Sequence, residues 1–454
     1  MNIIFLETKL NLTWTSMEEI LPQIEEAWSR TCKKEGDYFH RISVDNSLPG
    51  QYIRELMNAD LIIVSAFNTK VAGFLKIVRA SLGLQIPWAI YLHNQATIGL
   101  WPFYEFGIGE LLRESDTFIG TCSGDGLAMK ALFERCRYKL IPFVSETPVN
   151  ERLALESAAR EVVYVGRISE QKNLHSLIAA ISLLKKEGSV FHLTLYGKED
   201  FLGSPNMARK SDDYLLKLKN LAAELGLEGQ VSFMGFRKRE EIEERLKESN
   251  VIFCSPSLHS DENFGMAALM AVRSQCRLVL SNWGGHKNYI DQLPEITKGV
   301  AIYQNGDGPF LRVRELAQSI SKAQALQGEF SIDASLFSVE RSEGKMSETL
   351  NDYRHKTEEA FFPLKSTPIH LQVLAKRETF KEAFPQRSFS DYNDPLAAHF
   401  FHFYGAEPVS SSEESYDQLL PWVEERAGSF QVRDPHKGER LLSQRDLKPR
   451  GYTY

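Results

Sequence analysis

The stretches EVVYVGRISEQKN (161–173) and NVIFCSPSLHSDENFGMAAL (250–269) share one order of parts. In each, an apolar run typical of a buried strand leads into a polar loop, and the loop opens a segment with helical spacing. The first loop has two cations, Arg167 and Lys172, whereas the second has the acid Glu262 just before a glycine-bearing turn. Helix-terminal amides beside cations favour a diphosphate, and an adjacent carboxylate suits a polyhydroxyl group. The two loops therefore predict a site for a nucleoside-diphosphate sugar.

Apolar runs of strand length recur on both sides of these loops. The runs are 2–7, 38–44, 60–66, 88–93, 117–122 and 138–143, and then 162–166, 191–197, 231–235, 251–255, 277–281 and 300–303. Segments with helical spacing separate them, and strands that alternate with helices predict parallel sheets covered on both faces. Ligands of such sheets lie outside the carboxyl ends of the strands. We predict an α/β protein with two Rossmann-like parallel-sheet domains that face a cleft.

The breaks in this alternation give the domain boundaries. The predicted parts are an N-terminal acceptor domain over 1–145, a strandless connection over 145–160, a C-terminal donor domain over 160–310, a helical segment over 311–361 and an extension over 362–454. The extension is polar, but its aromatic run HFFHFYG (399–405) is not typical of disorder. We therefore expect an extension of unassigned role that is partly ordered and packs on the main body.

Composition excludes several classes of protein. The 454 residues have a net charge of −7, which argues against a general nucleic-acid binder. The five cysteines form no CxxC pair, so we expect buried free thiols and no zinc site. The amino terminus lacks the features of a signal peptide, and no apolar run is long enough to span a membrane. These observations predict a cytoplasmic protein of undetermined oligomeric state.

The common nucleotide-binding motifs are absent. No strand is followed by GxGxxG, there is no Walker loop, and no pair of aspartates suitable for a metal-bound diphosphate is evident. We therefore expect a donor site without a metal or a cofactor. In such a site, Arg167 and Lys172 stabilise the charge of the diphosphate.

Four motifs in the second half resemble retaining glycosyltransferases of family 4, which have the GT-B fold. They are the phosphate-binding element VGRISEQKNLHSLIAAISLL (165–184), the element ENFGMAALMA (262–271), the double-glycine turn SNWGGHKNYID (281–291) and the base-pocket strand VSFMGF (231–236). The match is close over about 165–290, and the first domain matches only in its alternation of elements and in the strand end YLHN (91–94).

The resemblance implies a role for each matching residue. Catalytic roles fall to His93 and Glu262, donor-diphosphate binding to Arg167, Lys172, Phe264, Gly265 and Met266, and the base and sugar pocket to Gly166, Phe236 and Asn263. Each role has a plainer alternative. Glu262 is also suited to capping a helix, and His93 is also compatible with an ordinary histidine at a strand end.

Met270 departs from the family pattern, which has a second glutamate there to hold the ribose hydroxyls. A thioether is a weak acceptor and cannot bind a diol in this way, although Met270 is equally compatible with a place in the core. Two functions therefore stay open. One is retaining transfer of a hexose from a nucleoside-diphosphate sugar to a hydroxyl of a glycan or lipid-linked acceptor. The other is a non-catalytic relative that serves as scaffold or partner of an active transferase.

Segment 69–85 is apolar, with Lys70, Lys76 and Arg79 on roughly one side. This pattern is compatible with peripheral contact to an anionic membrane surface. It is also compatible with a buried helix that covers the sheet and exposes a basic edge.

Overall fold

The computed structural model describes residues 1–8, 15–45, 48–93, 103–104, 107–143, 152–155, 158–199, 213–248, 250–258, 262–305, 308–355, 361–383, 398–409, 431–434 and 438–441. The chain divides into two compact units. The first consists of Met1–Pro148 and Ala334–Phe389, and the second of Val149–Asp333 and Ser390–Tyr454. The predicted parts are consecutive blocks, whereas the chain after residue 333 returns to the first unit before it rejoins the second.

The first unit contains six parallel strands in the order β2-β1-β3-β4-β5-β6. The strands are β1 Asn2–Glu7, β2 Tyr38–Ser43, β3 Leu61–Val64, β4 Trp88–Tyr91, β5 Thr117–Gly120 and β6 Arg137–Leu140. Every residue of β3, β4 and β5 is buried, as expected for strands covered on both faces. The helices of this unit are Thr15–Glu35, Ile53–Met57, Thr69–Lys76, Ser123–Leu132, Val339–Arg354 and Pro368–Ala383.

Helix Val339–Arg354 belongs to the segment that returns to the first unit. It packs on helix Thr15–Glu35, and ion pairs join the two helices. Arg30 Nε lies 2.7 Å from Glu343 Oε1, and Arg354 Nη1 lies 2.8 Å from Glu35 Oε2. The sequence separation of these partners explains why local pattern did not predict the return.

The expected basic edge of segment 69–85 is wrong for Arg79. The helix Thr69–Lys76 continues into a π-helical turn that places the Arg79 side chain in the interior. There Arg79 Nη1 lies 2.8 Å from Asp116 Oδ2, and the guanidinium lies 3.3 Å from the ring centre of Trp88. Among the described residues, no helix is long and apolar enough to cross a membrane.

The second unit also contains six parallel strands, in the order β10-β9-β8-β11-β12-β13. The strands are β8 Glu161–Val165, β9 His192–Tyr196, β10 Val231–Gly235, β11 Val251–Ser255, β12 Arg277–Ser281 and β13 Thr297–Val300. Counted within the unit, this order is 3-2-1-4-5-6, the Rossmann order. Both predicted parallel sheets are thus confirmed. The predicted cleft between the domains stays a prediction.

Short strands outside the two large sheets correct three predictions. The connection predicted to have no strand contains β7 Arg152–Leu155, which pairs antiparallel with β16 Gly328–Ser331. The predicted strand 300–303 spans the end of β13 and the start of β14 Ile302–Asn305. In the described part of the chain, four strands besides β16 follow the last predicted run, which ends at residue 303. They are β15 Gly308–Phe310, β17 Ala406–Pro408, β18 Gln431–Asp434 and β19 Gly438–Leu441. They were missed because three or four residues carry too little periodicity.

The helices of the second unit are Leu174–Lys186, Tyr214–Glu224, Arg239–Leu246, Met266–Arg273, His286–Gln292, Val313–Gln324 and Ala398–Tyr404. The last of these contains the aromatic anchors predicted for the extension. Phe401 and Tyr404 are buried, and their ring centres lie 5.8 and 6.0 Å from that of Trp283. This helix of the extension therefore packs against the loop after β12.

Candidate functional site

The site lies where the strand order of the second sheet reverses, between the neighbouring strands β8 and β11. Ligands of open α/β sheets bind outside the carboxyl ends of strands at such a reversal. The loops that leave these two strands are joined directly. Leu258 N donates to Gln171 O at 2.8 Å, and Asn173 Nδ2 donates to Pro256 O at 3.3 Å. The strand order thus brings the two loops quoted first into one site.

The loop after β8 is fixed by close backbone contacts. A Cβ atom on Gly197 would lie 1.7 Å from the carbonyl oxygen of Gly166, so only glycine fits there. The Tyr164 hydroxyl donates to the carbonyl of Arg167 at 2.7 Å. This bond holds the start of the loop against its own strand and leaves the Arg167 side chain partly exposed.

Lys172 and Glu262 form an ion pair across the site. Lys172 Nζ lies 2.5 Å from Glu262 Oε2 and 3.5 Å from Ser257 Oγ. The side chains are 12% and 14% exposed, so the pair is largely shielded yet reachable from solvent. The sequence predicted separate roles for these residues, on phosphate and on sugar, and the structure brings them into direct contact.

Arg167 belongs to the same electrostatic environment. Burial raises the pKa of Tyr164 well above its usual value, and the charge of Glu262 raises it while that of Arg167 lowers it. Both charged groups therefore act on one buried hydroxyl. Arg167 and Lys172 thus lie in the loop that leaves β8, and Lys172 contacts Glu262 there. Their role in binding a donor stays a prediction.

His286 is a site residue that sequence reasoning missed. Its Nδ1 lies 3.1 Å from Ser281 Oγ, and its Nε2 lies 3.9 Å from Glu262 Oε1. Ser281 Oγ also donates to Ser257 O at 2.6 Å. Burial lowers the pKa of His286 to about 4, so the ring is neutral near pH 7. The available signal was a histidine directly after the double-glycine turn, which was interpreted only as backbone geometry.

The double glycine lets the loop after β12 approach Glu262. Gly285 N donates to Glu262 O at 2.6 Å. A Cβ on Gly284 would lie 2.4 Å from that same oxygen, and a Cβ on Gly285 would lie 2.2 Å from the carbonyl oxygen of Asn263. Side chains at either position would force the two loops apart, so the glycines set the position of the acid.

Gly265 marks the start of helix Met266–Arg273 and has φ +76°, which favours glycine. A Cβ there would lie 2.9 Å from His286 Cδ2, so the helix start packs against the imidazole. Phe264 and Asn263 are buried beside it, and Met266 is half-buried. These predicted residues do stand at the helix start. Their contacts with phosphate or base stay predictions.

Met270 and Phe236 differ in how far their side chains are exposed. Met270 is 9% exposed and sits on the apolar face of its helix, which agrees with its alternative place in the core. Phe236 is 54% exposed and follows β10, an edge strand separated from β8 by β9. Lys198 Nζ lies 4.7 Å above the Phe236 ring.

His93 belongs to the first unit and follows β4. Its Nε2 lies 2.7 Å from the carbonyl oxygen of Ser65, and its ring packs between those of Tyr91 and Phe143. Burial lowers the pKa of His93 to about 4. His93 is thus a neutral, fixed ring at a strand end.

No group of three or more His, Cys, Asp or Glu side chains that could hold a metal ion occurs within the described ranges. The expected independence from a metal stays a prediction. The arrangement that is present consists of two cations, one carboxylate and one neutral imidazole at a glycine-rich edge. Such a set can bind a polyanion and accept hydrogen bonds from hydroxyls.

Comparison with known families agrees with this chemistry. Residues 145–307 match the family described as Glycosyl transferases group 1. This segment contains the whole of the site in the second unit. A search of curated proteins finds no match.

Several solved structures show a distant likeness. The lipopolysaccharide outer core galactosyltransferase WaaB in its apo form is 11% identical with a TM-score of 0.44, and the match covers 77% of this chain and 100% of that one. A glycosyltransferase from Rickettsia africae is 13% identical with a TM-score of 0.43, covering 85% and 99%. The structure described as trehalose-6-phosphate from E. coli bound with UDP-2-fluoro glucose is 11% identical with a TM-score of 0.44, covering 77% and 95%. Likeness at this level carries no functional argument. The similarity of this chain to the group 1 glycosyl transferases therefore rests on residues 145–307.

Proposed function

We propose that this protein is a retaining glycosyltransferase that moves a hexose from a nucleoside-diphosphate sugar to a hydroxyl acceptor, either a glycan or a lipid-linked sugar. The observation that supports it most is the Lys172–Glu262 pair at the reversal point of a Rossmann-ordered sheet. The family match over residues 145–307 supports glycosyl transfer independently of this geometry.

Each charged group has a role in the proposed reaction. Arg167 and Lys172 bind the diphosphate and stabilise the negative charge that grows on it as the bond to the sugar breaks. Glu262 accepts hydrogen bonds from sugar hydroxyls. For His93, the catalytic role that the resemblance implies stays a prediction. The departing diphosphate helps to deprotonate the acceptor hydroxyl on the same face of the sugar, which retains the anomeric configuration.

A binding panel tests the donor site. The uridine, guanosine, adenosine and cytidine diphosphates and their glucose conjugates are each added to the full chain. The melting temperature is recorded for each ligand. A ligand at about 100 times its Kd stabilises the native state by about 2.7 kcal/mol. We expect one base to give a clear shift. No shift with any of them at millimolar concentration would exclude a donor site of this kind.

Arg167→Ala separates binding from folding. We expect it to weaken binding of the active nucleotide by about 10- to 100-fold, as for loss of a charge-assisted hydrogen bond, while the melting temperature without ligand stays nearly unchanged. Arg314→Ala is the matched control, because Arg314 is 61% exposed and lies on a surface helix of the same unit. Equal losses of affinity in both variants would contradict a specific role for Arg167.

Met270 favours the second candidate, a non-catalytic relative that serves as scaffold or partner of an active transferase. A buried thioether stands where the family pattern has a ribose-binding carboxylate. Under this alternative, the panel gives no shift, and the protein is recovered with an active transferase. A nucleotide shift that Arg167→Ala removes would exclude this alternative in its simplest form.

A further inference from the structure

The hydrogen bonds of His286 fix which ring nitrogen carries the proton. Ser281 Oγ donates its only hydrogen to Ser257 O at 2.6 Å. Towards His286 Nδ1, 3.1 Å away, Ser281 Oγ can therefore only accept. Nδ1 must carry the proton of the neutral ring, and Nε2 presents a lone pair.

The Nε2 atom lies beside the carboxylate of Glu262. His286 Nε2 and Glu262 Oε1 are 3.9 Å apart, and both are acceptors. A hydroxyl has one hydrogen and can satisfy only one of them. Two hydroxyls on adjacent carbons can satisfy both, each donating to one acceptor. The pair thus has the chemistry of a site for a vicinal diol.

The surroundings hold the imidazole in this orientation. The His286 side chain is 2% exposed, so it has no freedom to turn towards solvent. Gly265 lies against its Cδ2 edge, where a Cβ would approach to 2.9 Å. Lys172 meanwhile holds Oε2, the other oxygen of Glu262, at 2.5 Å. Oε1 is consequently the oxygen directed towards His286.

We propose that His286 is a specificity-determining residue of the donor site, whose Nε2 accepts a hydrogen bond from one hydroxyl of the transferred sugar while Glu262 accepts from its neighbour. This inference rests on the proposed function and deepens it. It predicts that the sugar adds affinity to the nucleoside diphosphate through two adjacent free hydroxyls, one of which is bound by His286. The simpler view, in which His286 only fills the core beneath the loop, predicts no contribution of His286 to the affinity for the sugar.

Two substitutions distinguish these views. In His286→Asn, the amide nitrogen replaces Nδ1 and keeps the bond to Ser281, but the acceptor at the Nε2 position is lost. In His286→Gln, the amide reaches the Nε2 position and offers its oxygen as an acceptor there. The measurement is the ratio of Kd for the nucleoside diphosphate to Kd for its glucose, galactose, mannose and N-acetylglucosamine conjugates, by calorimetry on the full chain.

We expect His286→Asn to lower this ratio about fivefold for the preferred sugar, as for loss of one neutral hydrogen bond, and to leave binding of the nucleoside diphosphate unchanged. We expect His286→Gln to recover part of the loss. A wild-type ratio retained in His286→Asn would overturn the inference while leaving the proposed function intact. A ratio of one for all four sugars in the wild type would do the same. Absence of nucleotide binding by the wild type would instead reject the proposed function, and the inference with it.

Discussion

A shielded ion pair beside the sheet of the first unit can be compared with one beside the sheet of the second, and the two pairs differ in surroundings. In the first unit, Arg79 and Asp116 are 1% and 0% exposed and are 2.8 Å apart. Asp116 also accepts from the backbone amides of Trp88 and Arg113, at 2.8 Å in both cases. In the second unit, Lys172 and Glu262 are 12% and 14% exposed and lie among glycines at the carboxyl end of the strands.

The difference separates a structural ion pair from a pair that lies in the proposed donor site. Asp116 follows the turn before β5, at the amino end of its strand, where parallel sheets do not place ligands. The Asp116 carboxylate is fully buried and accepts hydrogen bonds from groups of the protein. Lys172 and Glu262 stand at the opposite end of their strands, where an anion or a hydroxyl can reach them. Burial and strand polarity, more than charge, therefore decide the role of each pair.

The largest expected effect is loss of the structural pair. Asp116→Ala leaves a buried guanidinium without its carboxylate, and we expect a loss of about 3–5 kcal/mol in the free energy of unfolding. Urea denaturation followed by circular dichroism measures it. A loss below about 1 kcal/mol would show that the Arg79–Asp116 pair does not stabilise the first unit.

Lys172→Met tests whether the ion pair of the second unit takes part in nucleotide binding. We expect nucleoside-diphosphate affinity to fall about 10- to 100-fold, because a charge-assisted hydrogen bond to phosphate is lost. Calorimetry with the nucleotide found in the binding panel measures the change. Unchanged affinity would place Lys172 with Arg79 as a structural cation.

Lower pH is expected to destabilise the first unit through His93 and the second unit through His286. Burial lowers the pKa values of His93 and His286 from 6.5 to about 4. Between these pH values the unfolded chain binds more protons than the native state, so the free energy of unfolding falls as pH falls. From pH 7 to pH 5 we expect about 2 kcal/mol per histidine.

Urea denaturation of the wild type, His93→Asn and His286→Asn at the two pH values measures this effect. Each variant should lose about 2 kcal/mol less than the wild type over the same pH change. Parallel pH dependence in all three proteins would show that neither ring stays neutral in the native state.

The smallest expected effect is at a surface pair of the first unit. Lys345 Nζ lies 2.9 Å from Glu348 Oε2, but the side chains are 43% and 56% exposed. We expect Glu348→Gln to change the free energy of unfolding by less than about 0.5 kcal/mol, by the same urea assay. A loss as large as that of Asp116→Ala would mean that burial does not distinguish these pairs.

Much of the fold was predictable because its strands are apolar runs with clear ends. The run 251–255 matches β11 at both ends, and 231–235 matches β10. Prediction failed where strands are short or polar. The last strand of the second sheet, Thr297–Val300, has one apolar residue, and its place is set by pairing with β12 rather than by hydrophobicity.

The site was predictable in its charges but not in its contacts. Arg167, Lys172 and Glu262 were identified from the loops they occupy, and the structure brings them to one edge of the sheet. The contact between Lys172 and Glu262 joins residues separated by 90 positions, which no local pattern encodes. His286 was missed for the same reason. It lies near Glu262 because the double-glycine turn lets the two loops approach each other.

The amino-acid sequence by itself determined the alternation of strands and helices, the glycines at strand ends and the charges of the two loops, because these depend on residues close along the chain. The tertiary structure alone decided that β8 and β11 are neighbours, that Arg79 is buried and that His286 faces Glu262. Those outcomes depend on which distant segments share a core, and the free energy of that packing is a property of the whole unit.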